Sequence, residues 1–218
     1  MKKLLVQFLC LITLCYAVAC DSDVSTDIEK VQNSTNETLE TEKSESSDYK
    51  AAYSEFLKDK KESYSSFNLV FIDNDDIPEL YLSGVNEAVG DMICSFKNDT
   101  VIYQRLGRLG GGKYIERSGN LVNQNGTMGI YYTNVYKLDE NGFSETFNAN
   151  YTEKYESVGN EEYVILREYF INGASVNEDE YNSAVNSNFD FSKAVSLDEN
   201  AVSFEEILKL LQDDNAEN

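Results

Sequence analysis

The stretch FNLVFIDNDDIPEL, residues 67–80, gathers Asp73, Asp75, Asp76 and Glu79 at the end of an apolar run. Carboxylates this close can give oxygens to a hard cation, act as a general acid and base, or accept backbone N–H groups in a turn. For calcium the candidate ligands are Asp73, Asp75 and Glu79, with the Ile77 carbonyl as a further oxygen. An EF-hand register starting at Asp73 fares poorly, because it puts Pro78 at the invariant glycine and Gly84 at the bidentate glutamate. As a strand-turn-strand corner the residues agree with one another. Pro78 fixes φ and opens the next strand, Asp73 and Asn74 accept backbone hydrogen bonds, and Phe71, Ile77 and Leu80 anchor the turn in a core. The corner is the preferred reading, weak calcium binding the second, and catalysis the third.

The remaining inventory narrows the chemistry further. The chain has no histidine, which removes Ser-His-Asp and Cys-His nucleophile systems, imidazole bases and histidine-type zinc sites. A glycoside hydrolase needs two carboxylates facing each other across a cleft, and the sequence supplies acids without pairing any two of them. We therefore assign no catalytic residue and no cofactor other than calcium at Asp73, Asp75 and Glu79. RLGRLGGGKY lacks the spacing of a phosphate-binding loop, so Gly110, Gly111 and Gly112 read as a flexible connection between strands. In DMICSF, Met92, Cys94 and Phe96 share one strand face, which makes Cys94 a buried thiol rather than a nucleophile. The tyrosine-rich strands can present aromatic faces to sugars, but core and sheet surface is their commoner use. Sequons such as those at Asn33 and Asn150 arise easily in a chain rich in Asn and Thr.

These groups must be positioned by regular elements, which the periodicity outlines. Tyr49, Ala52, Tyr53, Phe56 and Leu57 form one helical stripe, with Asp48 as its N-cap. From Phe67 the period becomes that of strands: 67–72 and 79–83 flank the acidic loop, and DMICSFK and TVIYQRL form a hairpin through Asn98 and Asp99. Asn125-Gly126, Asn141-Gly142 and Asn172-Gly173 each read as a hairpin turn. In GIYYTNVYKL, Ile130, Tyr132, Asn134, Tyr136 and Leu138 share a face opposite Tyr131, Thr133 and Val135. In EYVILREYFI, Tyr163, Ile165, Tyr169 and Ile171 stand opposite Val164, Leu166 and Phe170. Both faces are apolar, so helices should cover part of one. Two helices close the chain, one capped by Asn177 and Glu180, the other by Ser203 and Glu206. The predicted class is α+β: an antiparallel β-meander sheet with an N-terminal helix and two C-terminal helices packed on it.

The N-terminus addresses location. Lys2 and Lys3 precede an apolar run from Leu4 to Ala19, the form of a signal peptide over 1–19, too short to span a bilayer comfortably. The run ends in AVAC, which resembles the bacterial lipobox, with Ala17 where Leu is commonest; the resemblance implies that Cys20 carries lipid and anchors the protein to the outer face of the membrane. Residues 20–48 read as a disordered acidic tether rich in Ser and Thr, 49–212 as one globular domain, and 213–218 as a frayed tail. With Cys10 and Cys15 lost with the signal and Cys20 lipidated, Cys94 alone remains. Loss of Lys2 and Lys3 would take the net charge from −21 to −23, which repels nucleic acid and leaves acyl chains to hold the membrane.

FIDNDDIPEL also resembles the DxDGDGxPEL loop of surface lipoproteins of Gram-positive anaerobic bacteria, a family to which no activity is assigned, and more distantly the calcium loops of propeller-type repeats. The YxxFL helix before the loop, the tyrosine-rich meander and FINGASVNEDEY extend the likeness over most of 49–211. In the propeller-type register Phe71 stands where the first Asp belongs and Asp76 where the glycine belongs. The expected function is a non-enzymatic extracellular domain that binds a protein or glycan. Its alternatives are a carboxylate-dependent hydrolase of glycans or wall polymers, and a weak calcium-binding domain.

Overall fold

In β1 (Tyr64–Val70), β2 (Glu79–Gly84) and β3 (Asp91–Lys97) successive side chains point to opposite faces, and both faces are apolar. Phe67, Leu80, Leu82, Met92, Cys94 and Phe96 occupy one face, while Val70, Tyr81 and Ile93 occupy the other. Such a sheet must be covered twice. With β4 (Thr100–Leu106) it is four-stranded and antiparallel, in the order β1-β2-β3-β4.

The first face is covered by helices. Tyr49, Tyr53 and Leu57 of α1 (Ser46–Leu57) and Ile207 and Leu211 of α3 (Phe204–Gln212) are buried against it. Just before α3, Val202 exchanges backbone hydrogen bonds with Phe67 at 2.7 and 2.9 Å, which occupies part of the free edge of β1.

The second face is covered by another sheet. It comprises β5 (Gly112–Ile115), β6 (Asn120–Thr127), β7 (Ile130–Asp139), β8 (Gly142–Gly159), β9 (Glu162–Ile171), β10 (Ala174–Val176) and β11 (Val195–Ser196), in the order β10-β9-β8-β7-β6-β5-β11. Tyr114, Leu121, Tyr136 and Leu138 pack from it against Val70, Ile72, Tyr81, Ile93 and Leu106. On its outer face Val122, Val135, Phe147 and Ala149 receive Tyr181 and Val185 of α2 (Glu178–Asn188). The layers are helices, sheet, sheet, helix.

The computed structural model describes residues 46–159 and 162–212, with side chains from Tyr49 onward, all within one compact unit. The expected signal segment, Cys20, most of the tether and the tail lie outside the described residues.

Among the described residues the architecture is mainly antiparallel β with three α-helices, and the single meander sheet anticipated from the sequence is in fact two. After Leu106 the chain leaves the first sheet through a loop in which Gly110 and Gly111 have φ of +89° and +74°, and Gly112 opens β5. Two turns also differ. Asn125-Gly126 lies inside β6, and the β6–β7 hairpin turns at Met128-Gly129, both at positive φ (+50° and +79°). Between β7 and β8, Glu140 and Asn141 form the turn, followed by Gly142 at φ +105°. Asn98-Asp99 and Asn172-Gly173 turn as anticipated, each with two positive φ values. Asp48 is not the cap of α1, which begins at Ser46 and takes in the last residues assigned to the tether. The capping boxes Asn177–Glu180 and Ser203–Glu206 both form.

Candidate functional site

The acidic stretch is the loop between β1 and β2, closed by the pairing of Val70 with Glu79. Its own side chains shape it: the Asp75 N–H donates to Asp73 Oδ1 at 3.2 Å, and the Ile77 N–H to Asp75 Oδ1 at 2.9 Å. These are Asx turns. The second oxygens of both aspartates accept from Lys97, the last residue of β3, at 2.6 and 2.5 Å. The side chains of Lys97 and Asp73 are each 13% exposed. Burial alone would lower the Lys97 pKa, but hydrogen bonds and charge from the two aspartates outweigh it and hold the ammonium above its usual value.

Glu79 points into the interior from the first position of β2 and is fully buried. Its oxygens accept from the Ile72 N–H at 2.8 Å and the Ser95 hydroxyl at 3.1 Å. Burial pushes its carboxyl up to about 8 against the opposing pull of these two donors.

Asp73, Asp75 and Glu79 bring carboxylate oxygens within 4.8 Å of one another, a grouping that can hold a metal ion. Lys97 bridges two of the three and supplies the positive charge from within the chain. The residues that depart from the calcium pattern have structural roles. The Arg117 guanidinium lies 4.6 Å from the centre of the Phe71 ring and donates to the Asp75 carbonyl at 3.2 Å. Asp76 is fully exposed, 3.6 Å from Arg117. Backbone bonds from Arg117 N to Phe71 O (2.9 Å) and Gly119 N to Ile72 O (2.7 Å) fasten the β5–β6 turn onto the loop. The corner thus joins the two sheets.

A carboxylic acid with a raised pKa beside ionised ones is the arrangement of acid–base catalysts. Here the raised acid is sealed: Glu79 has no exposed surface on which to meet a substrate. Cys94 is likewise fully buried, and burial pushes its thiol far above the usual value.

The surface opens elsewhere. A groove of about 610 Å³ runs between the second sheet and α2, within the size range of small-molecule sites. Gln124 and Asn125 line it from β6, Tyr131 from β7, Tyr151 from β8, and Tyr181 and Asn182 from α2. Tyr131 and Tyr151 are direct cross-strand partners with rings stacked at 4.7 Å. Tyr169 on β9 continues the row 5.8 Å beyond Tyr151, and Tyr181 stands edge-on to Tyr151 at 6.0 Å. Among the described residues no charged one lines the groove. Glu153 beside it holds Arg167 at 2.8 Å and, chiefly by its charge, raises the pKa of Tyr131; burial raises that of Tyr151. Both phenols stay neutral.

Lys97 and Arg117 escaped the sequence reading because they lie far along the chain from the aspartates they serve. Tyr151 escaped it too, although tyrosines near the middle of successive meander strands were the available signal.

No family model, curated protein or solved structure matches the chain. What the fold and the site define is a mainly antiparallel β domain with an acidic corner joining its sheets and a tyrosine-lined groove on its outer face.

Proposed function

We propose that this chain is a lipid-anchored bacterial surface protein, akin to the lipoproteins its acidic loop resembles, whose domain binds a neutral saccharide without chemically altering it. The observation that carries this reading is the groove. Stacked phenol rings offer apolar faces, carboxamides and hydroxyls offer both donors and acceptors, and no charge lines the groove in a chain of net charge −21. A polar, uncharged ligand with C–H faces fits that lining. The hydrolase reading has less support, because the groove lining contains no carboxylate and Glu79 is sealed.

Calcium at Asp73, Asp75 and Glu79 is a second reading, supported by the convergence of their oxygens within 4.8 Å. It requires Lys97 to swing away, since its ammonium bridges the two aspartates.

The saccharide reading is tested by screening the full chain against immobilised glycans and titrating the best neutral one. Tyr131→Ala is expected to weaken that binding about tenfold or more. Binding confined to charged glycans, or unchanged in Tyr131→Ala, overturns it.

A further inference from the structure

The longest strand of the second sheet outruns its neighbours. β8 pairs with β7 only as far as Thr152, and β10 pairs with β9 only from Tyr169 onward. Residues 153–159 and 162–167 therefore have only each other as strand partners, the Glu153 N–H alone still donating to the Gly129 carbonyl at 2.7 Å, and form a two-stranded arm extending roughly 20 Å beyond the sheet.

This arm carries exposed apolar side chains on both faces, among charged ones. Tyr163 and Ile165, the latter opposite Tyr155, share one face, and Val164 and Leu166 share the other. Tyr155 and Tyr163 are each 66% exposed, and Val158, Val164, Ile165 and Leu166 are exposed as well. A two-stranded ribbon is marginally stable in water, and clustered exposed apolar residues mark an interaction surface. The outer edge of β9 over 162–168 has no strand partner among the described residues. The usual protections of an open edge are weak. The chain's one proline is at position 78, and the two cations of the arm are already committed: Lys154 to Glu168 at 3.1 Å and Arg167 to Glu153 at 2.8 Å. Glu162 at the start of β9 and Glu156 on the adjoining strand have no ion-pair partner among the described residues.

We propose that this arm is a docking site for an extended, cationic and apolar segment of another protein, which adds as a strand to the free edge of β9. Backbone hydrogen bonds supply the affinity. Alternate apolar side chains cover Tyr163 and Ile165 on one face and Val164 and Leu166 on the other, and a Lys or Arg meets Glu162. Charge selects this occupant over a second copy of the chain, which would bring a net charge of −21 and the same unpaired acids to the edge.

The test is titration of the full chain with a synthetic peptide of alternating Lys and Val, against one of alternating Glu and Val, at low and high salt. The Lys peptide is expected to bind more weakly as salt rises, and the Glu peptide not to bind. In Tyr163→Thr/Ile165→Thr, two exposed changes that keep strand propensity, the dissociation constant for the Lys peptide should rise about tenfold or more. Glu156→Gln/Glu162→Gln leaves the apolar faces intact and should reduce both affinity and its salt dependence. Equal binding of the two peptides, or unchanged binding in both variants, overturns the proposal. So does a dimer in sedimentation velocity that the Thr variant abolishes, which would make the arm a self-association surface. Saccharide binding in the groove should persist in both variants, so the two readings fail separately.

Discussion

Lys97 places its ammonium 2.6 Å from Asp73, with Asp75 as its second acceptor, at the point where the acidic loop turns between strands of one sheet. The loop needs a cation to hold its aspartates together, and β3 delivers one from the chain itself. Removing that amine should reveal which cation the corner accepts. In Lys97→Gln the unfolding midpoint is expected to fall by several degrees, for a loss of about 1–2 kcal/mol after allowing for the partial exposure of Asp75. Millimolar calcium should then restore more of the midpoint in the variant than it adds to the unsubstituted chain. Thermal melts with and without calcium decide this; an equal calcium effect in both proteins removes the metal from the account.

Glu79 sets the response to pH. Its carboxyl titrates at about 8 in the fold, against an ordinary value of 4.5, so the folded state holds this proton more tightly than the unfolded chain does. Stability from Glu79 is full below the ordinary value and declines as pH rises through 8. The chain has no histidine to obscure the trend. The loss between pH 5.5 and 8 is expected to be on the order of 3 kcal/mol, and Glu79→Gln should flatten it. Urea unfolding across that interval is the measurement, and a slope that Glu79→Gln leaves unaltered refutes the assignment.

Asp91 is a second buried carboxylate, with a different task. It accepts from the Tyr81 hydroxyl at 2.7 Å and the Gly84 N–H at 3.0 Å, tying β2 to the start of β3. Asp91→Ala strands these two donors and the Ser83 hydroxyl, which also donates to Asp91 at 3.4 Å, and is expected to cost about 2–4 kcal/mol, while Tyr81→Phe, which removes one donor, should cost about 1 kcal/mol. Chemical denaturation of the two variants checks the ranking.

The lipid anchor has its own test. If Cys20 is acylated, labelled palmitate enters the chain and Cys20→Ser moves it from the membrane to the soluble fraction. A Cys20→Ser protein that stays with the membrane rules out this anchor.

Local pattern was a good guide wherever neighbours in sequence do the work. The Tyr49, Tyr53 and Leu57 stripe, the capping boxes at Asn177 and Ser203, and the alternation of Met92, Cys94 and Phe96 all rest on contacts within a few residues or on a period of two, and all appear in the fold. Turn chemistry was a weaker guide. Asn125-Gly126 has suitable residues for a hairpin, yet pairing of β6 with β7 through Thr127 and Ile130 carries the turn on to Met128-Gly129.

By itself, then, the sequence determined the absence of histidine chemistry, the acidic charge, the mainly antiparallel pattern and the corner at Asp73 and Asp75, because composition and short-range periodicity encode these directly. Only the tertiary structure decided that the strands divide into two packed sheets, that Lys97 and Arg117 reach the acidic loop, and that Tyr131, Tyr151 and Tyr181 converge on one groove. Those relationships join residues far apart along the chain, and burial of two apolar sheet faces, which no local window of sequence contains, brings them together.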